Sequence, residues 1–184
     1  MMQRWLLAIL VVLAPLAGCT GDSLELEKIP EFTVITEDAT ISNNDFANQA
    51  FVIVFSAQWC GTPCHNNMHN LNLSVPGINV LVVSTDIDEE PNGVTLSMWE
   101  QSVNEFDDDK ELNQTLQYTF SRVDSTQNFA SDMGIDSPGT VIFVDTQGNE
   151  RHRQIGSFGA YNDQATLDVI KGHWDEALLV SLEG

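Results

Sequence analysis

Cysteine is scarce in this chain: three in 184 residues, at positions 19, 60 and 64. A scaffold built from disulfides is therefore excluded, and a chain this long does not need one to bury a core. Basic residues are scarce against acidic ones. Seven Lys and Arg face 27 Asp and Glu, for a formal charge of −20. No basic patch can form, so nucleic acid is not an expected partner, and neither is an anionic lipid surface held by charge. There is no internal repeat, no low-complexity segment, no phosphate-binding glycine loop and no Ser-His-Asp arrangement. The apolar fraction, 42%, is ordinary and speaks against disorder. The acidic stretch "DIDEEPNG", 86–93, has Pro91 where a calcium-binding loop needs Gly and lacks the closing Glu, so it reads as a solvated loop.

One long apolar run is present, and it stands at the N-terminus. Residues 1–18, "MMQRWLLAILVVLAPLAG", carry one charge, Arg4, and are too short for a stable membrane span. They read as an export signal. The run ends in "LAGC", which resembles the bacterial lipoprotein signal, in which the Cys becomes the lipidated first residue. That resemblance implies acyl chains on Cys19 and, with Thr20 rather than Asp following, the outer membrane, on its periplasmic side. Residues 19–28 would be a lipidated tether and 29–184 one domain. Without residues 1–18 only Arg4 is lost, which takes the charge from −20 to −21. With Cys19 given to lipid, one pair of cysteines remains, in a compartment that permits disulfides.

Along the domain, "EFTVITEDATIS", 31–42, suggests an entry β-hairpin. "AFVIVFSA" (50–57), "INVLVVSTD" (78–86) and "TVIFVD" (140–145) are continuous β-branched runs, expected as strands buried on both faces. "YTFSRVD", 118–124, reads as a further short strand, and "RHRQIGSF", 151–158, as a returning antiparallel one. Helices are expected at 64–73, with Met68 and Leu71 inward, and at 95–106, with Leu96, Met98, Trp99, Val103 and Phe106 at helical spacing. A helical turn is expected near 126–134, and a closing helix at 162–182 capped by Asn162. "DDDKELNQ", 107–114, reads as a charged stretch, a solvated loop or a helix end. His65 and His69 are expected to face solvent, as are His152 and His173. The order of elements predicts an α/β fold with a mixed sheet flanked by helices and an N-terminal hairpin extension.

Chemistry concentrates in "WCGTPC", 59–64. Cys60 follows directly on the first buried strand and opens the expected helix, where unpaired N–H groups and the dipole lower a thiol pKa. Pro63 falls in the first turn, where its missing N–H costs little. Four helical residues rise about 6 Å, and a disulfide accepts Cα separations of about 4.4–6.8 Å. A Cys60–Cys64 bridge is therefore feasible. A redox pair, a metal clamp and a structural staple all remain open on these residues alone.

"FVIVFSAQWCGTPC" resembles the active-site segment of thioredoxin-fold proteins. "IPEFTVI", 29–35, and "MGIDSPGTVIFVDTQGN", 133–149, resemble the entry and the proline-containing segment of exported TlpA/ResA-type thiol–disulfide oxidoreductases. The resemblance implies a thioredoxin fold in which Cys60 attacks and Cys64 resolves. Pro138 would be a cis-proline facing the pair. Ser137 and Pro138, with Trp59, would meet the substrate, and Gly61, Thr62 and Pro63 would shape the loop. Partners would be protein thiols and disulfides and an upstream dithiol electron donor, with no organic cofactor. The chain departs from the family in three places: three residues lie between the cysteines, Gly139 follows the proline, and Val54 stands where many thioredoxins bury an Asp. The same spacing on the same fold is also the copper ligand pair of Sco-type chaperones, and soft thiolates suit Cu(I). On that alternative, Cys60 and Cys64 would be joined by His65 and Met68. The distant His that completes Sco-type sites has no counterpart in "GIDSPG".

Overall fold

The computed structural model describes residues 26–87, 89–110, 112–124, 126–127 and 129–179. The expected signal peptide, Cys19 and most of the tether lie outside the described residues.

Seven strands form one sheet in the order β2-β1-β5-β4-β3-β6-β7. β3 (Phe51–Ser56), β4 (Val80–Ser84) and β6 (Thr140–Val144) are wholly buried runs, as their continuous apolar sequence predicts. β3 and β4 pair in parallel, as do β4 and β5 (Thr119–Val123). Parallel neighbours require crossovers, which are supplied by α1 (Thr62–Ser74) and α2 (Leu96–Asn104). β6 runs antiparallel to β3, and β7 (Glu150–Ile155) antiparallel to β6. β1 (Thr33–Ile35) and β2 (Thr40–Ser42) form the expected hairpin, which joins the sheet through β5. The result is the thioredoxin-like mixed sheet with an N-terminal hairpin.

Because strand side chains alternate, the sheet buries two cores. On one face Val52, Val54, Val80, Val82 and Phe143 pack on Met68 and Leu71 of α1, Trp99 and Val103 of α2, and Ile170 of α4 (Gln164–Leu179). On the other face Ile53, Phe55, Leu81, Val83 and Ile142 meet Phe129 of the short α3 (Phe129–Asp132), together with Ile29 and Phe32 of the entry segment. Residue 28, expected in the tether, is already part of the fold: Lys28 bridges Asn149, and Glu150 N–H donates to Glu27 O.

Several expectations need correction. Met98 is 54% exposed, because at this point of α2 the apolar stripe is carried by Leu96, Trp99 and Val103 alone. α4 is capped by Asp163, whose carboxylate accepts the Thr166 N–H at 2.9 Å. Asn162, at φ 56°, instead donates its backbone N–H to Asn70. The 107–114 stretch is not uniformly solvated, since Asp107 is fully buried among polar partners. His152 and His173 stack face to face, with ring centroids 3.3 Å apart, half-buried between β7 and α4.

Candidate redox site

The site is built where β3 ends. Ala57 is extended, residues Gln58–Cys60 make one tight turn, and Gly61 at φ 64° redirects the chain into α1. Only glycine takes that backbone conformation without strain. Cys60 therefore stands just ahead of the helix rather than in its first turn. Cys64 N–H and His65 N–H both donate to Gly61 O, which starts the helix. Thr62 and Pro63 form the exposed first turn.

Cys60 and Cys64 are joined in a disulfide with Cα atoms 5.8 Å apart. The two sulfurs have different surroundings. Cys60 is half-buried, while Cys64 is 1% exposed and packs in the core with Met68 and Val54. Trp59 is 60% exposed, and its Nε1 donates to Asp86 Oδ1 at 3.0 Å. Asp86 lies just past β4 and opens the "DIDEEPNG" stretch read as a solvated loop; nothing in that stretch pointed to Trp59.

The 137–139 segment reaches the disulfide because β6 begins at the end of the sheet where β3 stops: Thr140 pairs with Phe55. Gly139 N–H donates to Phe55 O at 2.8 Å, and a Cβ on Gly139 would lie 3.9 Å from Cys64 Sγ. Pro138 is half-buried and Ser137 exposed. The expected cis-proline is corrected, because the Ser137–Pro138 peptide is trans. The bend into β6 is carried by Gly139 at φ 99°, open to it because it has no Cβ.

The histidines after the pair are also placed differently from expectation. His69 is fully buried. Its Nε2 donates to Val103 O at 2.9 Å, and its Nδ1 faces Asp107 and Gln114. His65 is half-buried with its ring edge-on to Phe106, and its Nε2 is buried without a hydrogen-bond partner. Burial, then the nearby His69 and Lys110, lowers the His65 pKa to about 4. His69 is also lowered, chiefly by burial. Both rings are therefore neutral at pH 7. Met68 is fully buried core, as expected. Among the described residues, no group of three or more His, Cys, Asp or Glu side chains could hold a metal ion. Of the residues named for the copper alternative, His65 lies against Phe106 and Met68 packs in the core beside Cys64 and Val54.

No curated protein matches this chain. Solved structures share its fold at low identity. A putative thiol:disulfide interchange protein DsbE from Chlorobium tepidum is 16% identical with a TM-score of 0.57, over 83% of this chain and 96% of that one. A thiol-disulfide oxidoreductase from Bacteroides fragilis is 20% identical with a TM-score of 0.54, over 83% of this chain and 100% of that one. ScoI of Bradyrhizobium japonicum, solved with copper bound, is 9% identical with a TM-score of 0.53, over 81% of this chain and 98% of that one. With the fold, the cysteine pair and a match to the redoxin family over residues 25–169, this chain belongs to the redoxin family.

Proposed function

We propose that this protein is a thiol–disulfide oxidoreductase of the bacterial cell envelope, lipid-anchored through Cys19, that exchanges disulfides with protein thiols through Cys60 and Cys64. The observation that carries the reading is the asymmetry of the pair: a half-exposed Cys60 ahead of a helix, bonded to a buried Cys64. In the reductive direction, the Cys60 thiolate attacks one sulfur of a partner's disulfide, and the partner's other sulfur leaves as a thiolate. Cys64 then attacks Cys60, breaks the mixed disulfide and releases the partner as a dithiol. The protein is left oxidised, and an upstream dithiol donor returns two electrons and two protons. The start of α1 stabilises the Cys60 thiolate through its dipole and free N–H groups. Trp59 flanks the sulfur, Gly61, Thr62 and Pro63 fix the turn, and Ser137 and Pro138 offer backbone to the partner. The fold neighbours described as thiol–disulfide proteins support this class of chemistry.

The test uses the reduced mature protein and insulin as a disulfide probe. Turnover is expected, with complete loss in Cys60→Ser and trapping of a mixed disulfide in Cys64→Ser. The rival reading, Cu(I) carried by the reduced pair, draws on the unpartnered His65 Nε2. It would replace the first if the protein gave no turnover but retained stoichiometric Cu(I) that His65→Ala or Met68→Ala released.

A further inference from the structure

Two asparagines on α1, Asn67 and Asn70, are fully buried, and each uses both ends of its amide on the segment after β7. Asn67 Nδ2 donates to Gly156 O at 3.1 Å, and its Oδ1 accepts the Phe158 N–H at 3.0 Å. Asn70 Nδ2 donates to Ala160 O at 2.9 Å, and its Oδ1 accepts the Asn162 N–H at 2.8 Å. What lies beyond each anchor differs. Ala160 and Asn162 lead into α4. Gly156 leads to the disulfide: its N–H donates to Gly139 O at 3.0 Å, and Gly139 N–H donates to Phe55 O.

These bonds close a ring. From Phe55 the chain runs to Cys60, crosses the disulfide to Cys64, and descends one helical turn to Asn67. It returns through Gly156 and Gly139 to Phe55. The disulfide is one covalent link of this ring. When it is reduced, the Asn67–Gly156–Gly139 hydrogen bonds remain as a directional polar link between α1 and the 137–139 segment, beside the apolar packing of Cys64 and Met68 on Val141. Hydrogen bonds in series polarise one another, and a fully buried amide such as that of Asn67 is costly to leave without its partners.

We propose that Asn67 is a positioning residue for disulfide exchange, holding the 137–139 segment over Cys64 in the dithiol state. The inference rests on the exchange reading above. It gives Asn67 a role that Asn70, with the same chemistry one turn further on, does not have. Without the Asn67 arm, Gly139 is no longer drawn against Cys64, the resolving sulfur loses its shield, and the backbone at Ser137 and Pro138 is no longer set for an incoming partner.

The experiment compares Asn67→Ala and Asn70→Ala in the reduced protein. Asn67→Ala, which removes both amide bonds, is expected to raise the alkylation rate of Cys64 about tenfold and to slow reaction with insulin about tenfold, the effect of roughly one net hydrogen bond. Reaction of Cys60 with a small aromatic disulfide should change less than about twofold, as expected of a sulfur already half-exposed. Asn70→Ala should lower the unfolding midpoint comparably while moving none of these rates. Equal effects of the two variants, or unchanged Cys64 shielding in Asn67→Ala, would overturn the proposal. Should Asn67→Ala fail to fold, Asn67→Asp keeps the acceptor for Phe158 but removes the donor to Gly156, and must expose Cys64 in the same way; wild-type shielding there also overturns it. If the wild-type protein ignores insulin, the exchange reading fails, while the alkylation comparison still decides the role of Asn67.

Discussion

His69 Nδ1 stands 3.3 Å from the Asp107 carboxylate, with both side chains fully buried. A carbonyl only accepts, so the bond to Val103 O puts the imidazole proton on Nε2 and leaves Nδ1 as an acceptor, which Gln114 Nε2 meets at 3.2 Å. Asp107 Oδ2 accepts from Gln114 N–H at 3.0 Å and from Tyr161 O–H at 2.9 Å. Burial pushes the Asp107 pKa up, but these donors outweigh it and hold the carboxyl below its ordinary value. The cluster ties α1, the end of α2 and the segment before α4 together. Asp107→Ala is expected to destabilise the protein by about 2–4 kcal/mol, because several half-buried donors lose one charged acceptor at once. Asp107→Asn, which keeps an acceptor oxygen, should cost clearly less. Urea unfolding measures both, and an alanine variant as stable as wild type would contradict this account.

The two neutral histidines give a pH dependence with a definite sign. The folded-state pKa of His65 is lowered from 6.5 to about 4, and that of His69 is lowered as well. Between those values the unfolded chain binds a proton that the folded chain does not, so stability is present above pH 6.5 and is lost as pH falls toward about 4. Asp107, whose pKa is also lowered, loses its share further down, below the ordinary carboxylate range. The urea midpoint of wild type should therefore fall between pH 7 and pH 5, within the His65 window. His65→Gln should flatten that fall; an unchanged slope would show that the ring is not held neutral.

Met68 sits one turn below Cys64 and is fully buried. Met68→Ala should cost about 2–5 kcal/mol through lost burial and the cavity left behind. Met68→Leu, close in volume, should cost less than about 1.5 kcal/mol. Calorimetry on both variants tests the packing. Similar losses for the two would mean that the sulfur, and not its volume, is what the core requires.

Gly139 separates strain from crowding. An added Cβ would meet Gly156 Cα at 3.8 Å and Cys64 Sγ at 3.9 Å, which is ordinary contact. The backbone at φ 99°, however, disfavours any side chain. Gly139→Ala should therefore destabilise by on the order of 1–3 kcal/mol and leave the disulfide able to form. A thiol titration after mild oxidation reads the second outcome, and two free thiols in Gly139→Ala would indicate crowding instead.

The sequence alone determined the three buried strands, because unbroken β-branched runs leave few alternatives. It also located the cysteine turn, because a Gly and a Pro between cysteines at the end of such a run dictate where the strand must stop and the helix begin. It did not reveal α1's buried polar face. Asn67, His69 and Asn70 look like surface residues in "CHNNMHNLNL", because local pattern records polarity and not whether a partner will be folded against it. Gly139 beside Cys64, Gly156 behind Gly139 and Asp86 on Trp59 are placed only by the antiparallel register of β6 and the end of β4, pairings between residues far apart in the chain. The cysteine pair and its turn were local and therefore legible; their surroundings are made of long-range contacts, which only the packed sheet and helices could bring together.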